Sequence, residues 1–124
     1  WEALPELYPS EWEDWSERPW RFEAKGGEPM REVYRRMAEA LTDIAAAHPG
    51  EAVAAASHGC ANRNALCWAS GRPIERLLEI PWCDNTAVTV LEFQEGRPVI
   101  RLANDNGHLD EELSTLSKQS WWRE

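Results

Sequence analysis

A long hydrophobic run is the first feature that this sequence lacks. The longest stretch of low polarity is Ala52–Ser57, which is far shorter than the roughly 18 apolar residues of a membrane-spanning helix. The opening residues Trp1, Glu2 and Ala3 supply neither the basic start nor the apolar run of a signal peptide. These absences predict that the protein is cytoplasmic and does not contact a membrane.

Cysteine and positive charge are also scarce. The three cysteines show no Cys-x-x-Cys spacing, so we expect free thiols rather than bridges or a cysteine zinc site. Lysine and arginine number 13 against 22 acidic residues, which gives a formal charge of −9. A broad nucleic-acid surface needs clustered cations and is therefore excluded, whereas a small anionic substrate needs positive charge only locally. A Gly-rich phosphate loop and a Ser-based nucleophile elbow are absent as well.

The composition fits one globular domain. With 124 residues, of which 43% are hydrophobic and 28% charged, the chain can bury a core and is too apolar for a disordered protein. Its opening segment carries Trp1, Trp12, Trp15 and Trp20. These aromatic side chains either pack the segment onto the core or form a binding lid.

The middle of the chain predicts the order helix, strand, helix. Apolar residues recur at steps of three and four over 29–47, which is typical of an amphipathic helix. Residues 51–57 are small, apolar and bounded by turns, which favours a strand buried on both faces. A second helix is expected over 60–70, ended by Gly71.

The remainder is shorter and more polar. A short helix is predicted over 73–80, and a hairpin is predicted from the apolar runs 86–93 and 98–102 around a turn. The tail 110–124 has few apolar residues, so it gains order only by docking onto the rest of the domain.

His58 occupies the best position for a functional site. It ends the predicted buried strand, and Gly59 and a helix follow it; open α/β sheets bind ligands at such ends. Gly59 lets the backbone approach a ligand, the helix start offers unpaired N–H groups, and a protonated imidazole adds a cation. Together these groups suit a phosphate, and the alternative is a histidine with a purely structural role.

Glu28 is the second candidate, between Gly27 and Pro29 at the start of the first helix. A carboxylate at this N-cap position stabilises the helix by about 0.5–2 kcal/mol. Alternatively, Glu28 faces His58 and donates a proton to a leaving alkoxide, if burial and phosphate charge favour its protonated form.

The other candidates are weaker. His48 lies in the turn that ends the first helix and is expected to be solvated, and His108 is expected to be structural. Cys60 stands near a helix start that could lower the pKa of its thiol, although without a partnered base it is better interpreted as a small buried residue. Arg63 either assists an anion or is a surface charge.

Five short segments, in this order, resemble parts of the histidine phosphatase (phosphoglycerate mutase-like) superfamily. They are the Gly-Gly-Glu segment Gly26–Pro29, the turn His48–Glu51, the Ser-His-Gly motif Ser57–Gly59 followed by Arg63, and the later segments Asp84–Thr89 and Asn104–Leu109. Each motif is short, but their order and spacing make the match specific. The resemblance covers residues 1–109, so we expect 1–109 to be the C-terminal part of such a domain and 110–124 to be a tail.

The resemblance implies an α/β fold, a three-layer α/β/α sandwich that is incomplete at its N-terminus. It further implies phosphoryl transfer from a small phosphorylated substrate through a phosphohistidine. No metal and no cofactor is expected, because histidines and arginines supply the positive charge. By this analogy His58 stabilises the transferring phosphoryl group, Glu28 is the proton donor and Gly59 contributes a backbone N–H. Pro29, which follows Glu28, replaces the serine that is usual at this position in the family.

The main departure from the family is the missing nucleophile, which belongs to an Arg-His-Gly motif. None of the three histidines follows an arginine, and the family's first phosphate-binding arginine is absent with that motif. One explanation is that the nucleophile lies upstream of Trp1 in a longer enzyme, so that this chain alone is inactive. The other is a shortened, inactive phosphate-binding or interaction module, completed by a homodimer or another partner chain.

Overall fold

The computed structural model describes residues 2–118. Within this range it contains both helices and a sheet, as an α/β protein requires. The helices are α1 (Leu4–Leu7), α2 (Pro9–Glu17), α3 (Met30–Ala47), α4 (Gly59–Ala69) and α5 (Thr115–Lys118), and the strands are β1 (Val88–Gln94) and β2 (Arg97–Asp105). Two 3-10 helices, Pro19–Arg21 and Ile74–Glu79, complete the regular structure.

Helix α3 confirms the amphipathic pattern but begins one residue later than predicted. Pro29 takes the N-cap position because its φ of −59° and ψ of 141° are extended rather than helical. Glu28 therefore lies outside the helix, and no side chain caps its first turn. The interpretation of Glu28 as the N-cap residue was wrong.

Helix α4 confirms the second predicted helix, with its start shifted to Gly59. His58 is its N-cap residue, in an extended conformation. At the other end Gly71 adopts a φ of 71°, a left-handed conformation that suits glycine. Its N–H donates to the carbonyl of Trp68 and thereby ends the helix as the sequence predicts.

The predicted hairpin is also present. Strands β1 and β2 pair antiparallel, and the two residues between them, Glu95 and Gly96, both have positive φ values of 51° and 76°. Two successive positive φ values are typical of the tight turn that matches the twist of a hairpin.

The predicted buried strand over 51–57 is wrong for the described chain. These residues form no strand, and all of them are exposed, Val53 with 49% of its surface. A strand needs a neighbour to bond its backbone N–H and C=O groups. The sheet that residues 2–118 form contains only β1 and β2, so segment 51–57 has no pairing strand there.

The core lies between α3, α4 and the second 3-10 helix. Its buried side chains are Met30, Leu66, Cys67, Ile74, Leu77 and Ile80. Trp15 and Trp20 of the opening segment pack against this cluster, which confirms their predicted role as anchors. Trp1 lies outside the described residues, as do Trp121 and Trp122 of the tail.

The described part of the tail docks onto the domain through Asp84. This buried carboxylate accepts hydrogen bonds from the Ser114 hydroxyl at 2.5 Å and from the Thr115 backbone N–H at 2.7 Å, while the Asn106 side chain donates at 3.4 Å. Burial alone would raise the pKa of Asp84, but these donors outweigh it and hold the pKa well below its usual range. The tail thus contacts the rest of the chain through residues 114–116, and the expectation that docking orders it stays a prediction.

Candidate active site

His58 is exposed at the point where α4 begins. The first amides of a helix have no acceptor within the helix, and the dipole places partial positive charge there. Gly59, the first residue of α4, sits beside the imidazole with no side chain to hinder an incoming group. This arrangement can receive an anion, as the sequence predicts for a phosphate.

Glu28 is bound by an arginine that the sequence interpretation did not single out. The Arg36 Nε donates to both oxygens of the Glu28 carboxylate, at 2.7 and 2.9 Å. Both side chains are exposed, with 50% and 39% of their surfaces accessible. Exposed ion pairs contribute only about 0–1 kcal/mol, so this contact can open at little cost when another anion approaches.

A contact between two sulfur atoms brings the starts of α3 and α4 together. The Cys60 Sγ lies 3.6 Å from the Met30 Sδ, and the Asn64 Nδ2 lies 3.3 Å from the same sulfur. Glu28 precedes Met30 by two residues, as His58 precedes Cys60. The two predicted site residues thus adjoin the same junction between helices.

Cys60 itself does not have the character of a reactive thiol. Burial raises the pKa of its thiol, against a smaller opposing effect of Arg63 and Arg36. The interpretation of Cys60 as a small, largely buried residue is therefore supported over that of an activated thiol.

Arg63 is buried, with 9% of its surface exposed, which contradicts the surface-charge interpretation. Its Nε donates to the Ile80 carbonyl at 2.6 Å, and its guanidinium carbon lies 4.6 Å from the centre of the Trp82 ring. Such a stack is favourable because the ring face attracts a cation. Arg63 therefore joins α4 to the segment that carries Trp82.

Trp82 covers one side of the helix start. Two of its ring carbons lie 3.8 Å from the position that a Cβ on Gly59 would take. The Trp82 ring is 6.0 Å from that of Trp15, which in turn meets Phe22 edge-on at 5.0 Å. A continuous row of aromatic rings thus leads from the start of α4 to the opening helices.

A cavity of about 320 Å³ lies at the far end of this row. Its apolar lining consists of Leu4, Tyr8, Trp12, Trp15, Phe22 and Ala24. Glu11 and Lys25 are the charged residues in the lining. Hydrogen bonds from Ser10 and from the backbone of Glu11, with a smaller effect of Lys25, lower the pKa of Glu11.

The other two histidines behave as the sequence predicts. His48 is exposed, and its Nδ1 lies 3.0 Å from the Glu51 carboxylate. The His108 Nε2 lies 3.2 Å from the Thr86 hydroxyl, which ties the segment after β2 to the loop before β1. Neither contact involves the junction of α3 and α4.

Within residues 2–118 no three His, Cys, Asp or Glu side chains are grouped so that they could hold a metal ion. In the same range no helix is both long and apolar enough to cross a membrane.

Comparison with known proteins identifies the family. The sequence profile of the histidine phosphatase superfamily (branch 1) matches residues 1–106. A relative named phosphoserine phosphatase 1, from Hydrogenobacter thermophilus, is 31% identical over 110 residues, which are 89% of this chain and 52% of the relative. The chain therefore spans about half the length of this relative.

The solved structure of Bacillus stearothermophilus YhfR superposes with a TM-score of 0.78. It is 23% identical, and the match covers 86% of this chain and 53% of YhfR. This likeness confirms the phosphoglycerate mutase-like α/β fold that the motifs predict. On the profile match and the relative together, the chain belongs to the histidine phosphatase superfamily, branch 1.

Proposed function

We propose that the protein containing this chain is a phosphomonoester hydrolase that acts on a small phosphorylated substrate through a phosphohistidine. The observation that carries the proposal is the exposed His58 at the N-cap of α4, beside the amides of the helix start. The nucleophilic histidine lies upstream of Trp1 in this proposal, since none of the three histidines here belongs to an Arg-His-Gly motif.

In the reaction, each of the three groups at the helix junction has one task. His58 in its protonated form balances the charge of the transferring phosphoryl group, and the backbone N–H of Gly59 donates to one of its oxygens. Glu28 in its protonated form gives its proton to the leaving alkoxide, and its carboxylate then takes a proton from the water that hydrolyses the phosphohistidine. The Arg36–Glu28 contact has to open first, and the arriving phosphate supplies an alternative anion for Arg36.

The test uses the complete gene product with p-nitrophenyl phosphate. His58→Ala is expected to lower kcat/KM by at least about 10²-fold, because one preorganised donor to the transition-state charge is lost. His48→Ala is the matched control: this histidine is also exposed and also close to a helix end, and its removal should leave the rate unchanged. Equal activity of the two variants would refute the role of His58.

The 124-residue chain alone should show no turnover. If the isolated chain hydrolysed the aryl phosphate, and His58→Ala abolished that activity, the nucleophile would lie within this chain and the proposal would be wrong on that point.

A second candidate function is an inactive phosphate-binding or interaction module completed by a partner chain, including a second copy. The unpaired, exposed segment 51–57 favours it, because a strand from another chain could bond that backbone. Quenching in alkaline denaturant after incubation with labelled substrate separates the two functions, because the P–N bond of phosphohistidine is stable in alkali and is lost in acid. The hydrolase traps a phosphohistidine, and the module binds phosphate without forming one.

A further inference from the structure

Asn64 is a buried amide in the middle of α4, and only one end of it is hydrogen-bonded. The residue is 0% exposed, and its Nδ2 donates to the Cys60 carbonyl at 3.0 Å. Because a carbonyl can only accept, the amide nitrogen must face it and Oδ1 points away. Within residues 2–118 this buried Oδ1 has no hydrogen-bond partner. Such atoms are uncommon in folded proteins, since burial removes their bonds to water.

The hydrogen bonding of α4 does not require this amide. The Cys60 carbonyl lies inside the helix, where it accepts from the backbone N–H four residues later. The additional bond from the Asn64 side chain therefore satisfies no group that would otherwise lack a partner. An apolar side chain with the same branching would bury no unpartnered oxygen. What the amide provides beyond an apolar residue is its second contact, with α3.

This second contact reaches the first residue of α3. The Asn64 Nδ2 lies 3.3 Å from the Sδ of Met30. A thioether accepts a hydrogen bond only weakly, but both groups are buried, with Met30 3% exposed. The Met30 backbone is fixed as well, because its N–H donates to the Phe22 carbonyl at 2.9 Å. One amide thus bonds the first turn of α4 and the first residue of α3.

The proposed reaction has to align one group from each of these helix starts. His58 is two residues before Cys60, and Glu28 is two residues before Met30. In that reaction the phosphate is held at α4, by His58 and the Gly59 N–H, whereas the proton comes from beside α3. Proton delivery therefore depends on how the two helix starts are placed, and an error of about 1 Å can cost on the order of 10²-fold in rate.

We propose that Asn64 is a positioning residue for the reaction, which holds Met30 and thereby sets the place of Glu28 against the phosphate at His58. The inference rests on the proposed function, since it needs Glu28 as the proton donor. With no exposed surface, Asn64 does not touch the substrate. Loss of the amide should therefore slow delivery of the proton and leave phosphate binding unchanged.

The test compares two aryl esters with the complete gene product. Phenolate needs a proton as it leaves phenyl phosphate, whereas p-nitrophenolate leaves readily without one. Asn64→Leu keeps the branching of the side chain and removes the donor. It should lower kcat/KM at least about tenfold for phenyl phosphate and less than about threefold for p-nitrophenyl phosphate. The inhibition constant of inorganic phosphate should stay within about twofold of the wild type, because His58 and Gly59 are intact.

A serine at the same position separates the two contacts of the amide. The hydroxyl of Asn64→Ser can still donate to the Cys60 carbonyl, as serines within helices do, but it is too short to reach Met30. This variant should show the same selective loss on phenyl phosphate. It answers the question even where leucine is too bulky for the site. Wild-type kcat/KM in Asn64→Ser on both esters would overturn the proposal.

A double-mutant cycle tests the route through Met30. Met30→Leu keeps the volume of the side chain and removes the sulfur acceptor. Alone it should reproduce the selective loss, and Asn64→Leu added to it should cause no further loss, because both changes break one link. Losses that multiply would show that Asn64 does not act through Met30.

Cys67→Ala is the control for a general loss of packing in α4. Cys67 is equally buried, but its Sγ contacts the carbonyls of Arg72 and Pro73 beyond the other end of the helix. The variant should lower the urea midpoint and keep kcat/KM on both esters. If Asn64→Leu behaved in this way, lost activity equally on the two esters or lost phosphate binding, its role would be structural and the proposal would be wrong.

Failure of the proposed function has a different signature. In that case His58→Ala hydrolyses both esters as the wild type does, or Glu28→Gln shows no selective loss on phenyl phosphate, and the positioning role falls too. If the positioning role alone is wrong, both of those variants lose activity as expected while Asn64→Leu keeps it.

Discussion

The sulfur atoms of Met30 and Cys60 lie 3.6 Å apart, and this contact joins the starts of the two helices that bear the candidate site. Met30 is 3% exposed and belongs to the core. Packing at this point therefore serves both the stability of the domain and the relative placement of Glu28 and His58.

Truncation of Met30 should reveal how much this packing stabilises the domain. Met30→Ala removes a buried side chain and is expected to cost about 2–5 kcal/mol in the free energy of unfolding, measured by urea denaturation. Met30→Leu retains the volume and should cost less than about 1.5 kcal/mol. Equal losses in the two variants would show that the sulfur contacts, and not the filled volume, stabilise the junction.

The proton-donor role of Glu28 leads to a kinetic prediction. In the complete protein, Glu28→Gln should lower kcat by about 10²–10⁴-fold, the usual contribution of a general acid, while inorganic phosphate inhibits as strongly as before. Glu32→Gln is the control, since Glu32, in the first turn of α3, is also exposed and also paired with an arginine, Arg35. An unchanged kcat in Glu28→Gln would exclude the role.

Arg36 should influence Glu28 indirectly. Arg36→Gln removes the partner of the Glu28 carboxylate without touching the proton donor itself. We expect a smaller loss of kcat than in Glu28→Gln, because the carboxylate remains and loses only the cation that fixes its position. An unchanged kcat would show that the contact is irrelevant to turnover, and a kcat as low as that of Glu28→Gln would show that Arg36 does more than position the carboxylate.

The parts of the fold that follow local rules were predictable from the sequence. Helix α3 was evident from its periodicity, and the turn at Glu95 and Gly96 was evident because its residues separate two apolar runs. The buried strand predicted over 51–57 was wrong. The composition of this segment indicates burial, but a strand is buried only where neighbouring elements cover it, and composition does not show those neighbours. The described chain holds no strand against it.

The position of His58 just before a helix was predictable, because strand-like residues, glycine and a helical pattern follow each other there. The contacts that Arg36, Arg63 and Trp82 make could not be predicted, because each joins residues that are not neighbours in the sequence. Arg63 is separated from Ile80 by 17 residues, and an arginine between two asparagines gives no sign of whether it faces solvent or core.

Arg63 offers a direct test of that buried contact. Arg63→Met keeps much of the apolar stem but leaves the Ile80 carbonyl without its donor, which should cost about 1–3 kcal/mol in unfolding free energy. Arg101→Met is the control, because Arg101 forms an exposed ion pair with Glu92 and its loss should cost no more than about 1 kcal/mol. Similar losses would mean that the Ile80 bond contributes little.

The docking of the tail on Asp84 predicts a dependence of stability on pH. Hydrogen bonds from Ser114, Thr115 and Asn106 lower the pKa of Asp84 in the folded protein despite its burial. The ionised carboxylate therefore stabilises the fold fully above the unfolded-state pKa of about 3.9, and this contribution is lost as the pH falls below that value toward the folded-state pKa.

Asp84→Asn should be less stable than the wild type by about 1.5–3 kcal/mol at pH 7, the range for hydrogen bonds to a charged group. The difference should shrink in urea titrations below about pH 4. Asp43→Asn, at an exposed position of α3, should show no comparable difference at either pH. A deficit of Asp84→Asn that stayed constant into acid would mean that lost packing, and not lost charge, destabilises the variant.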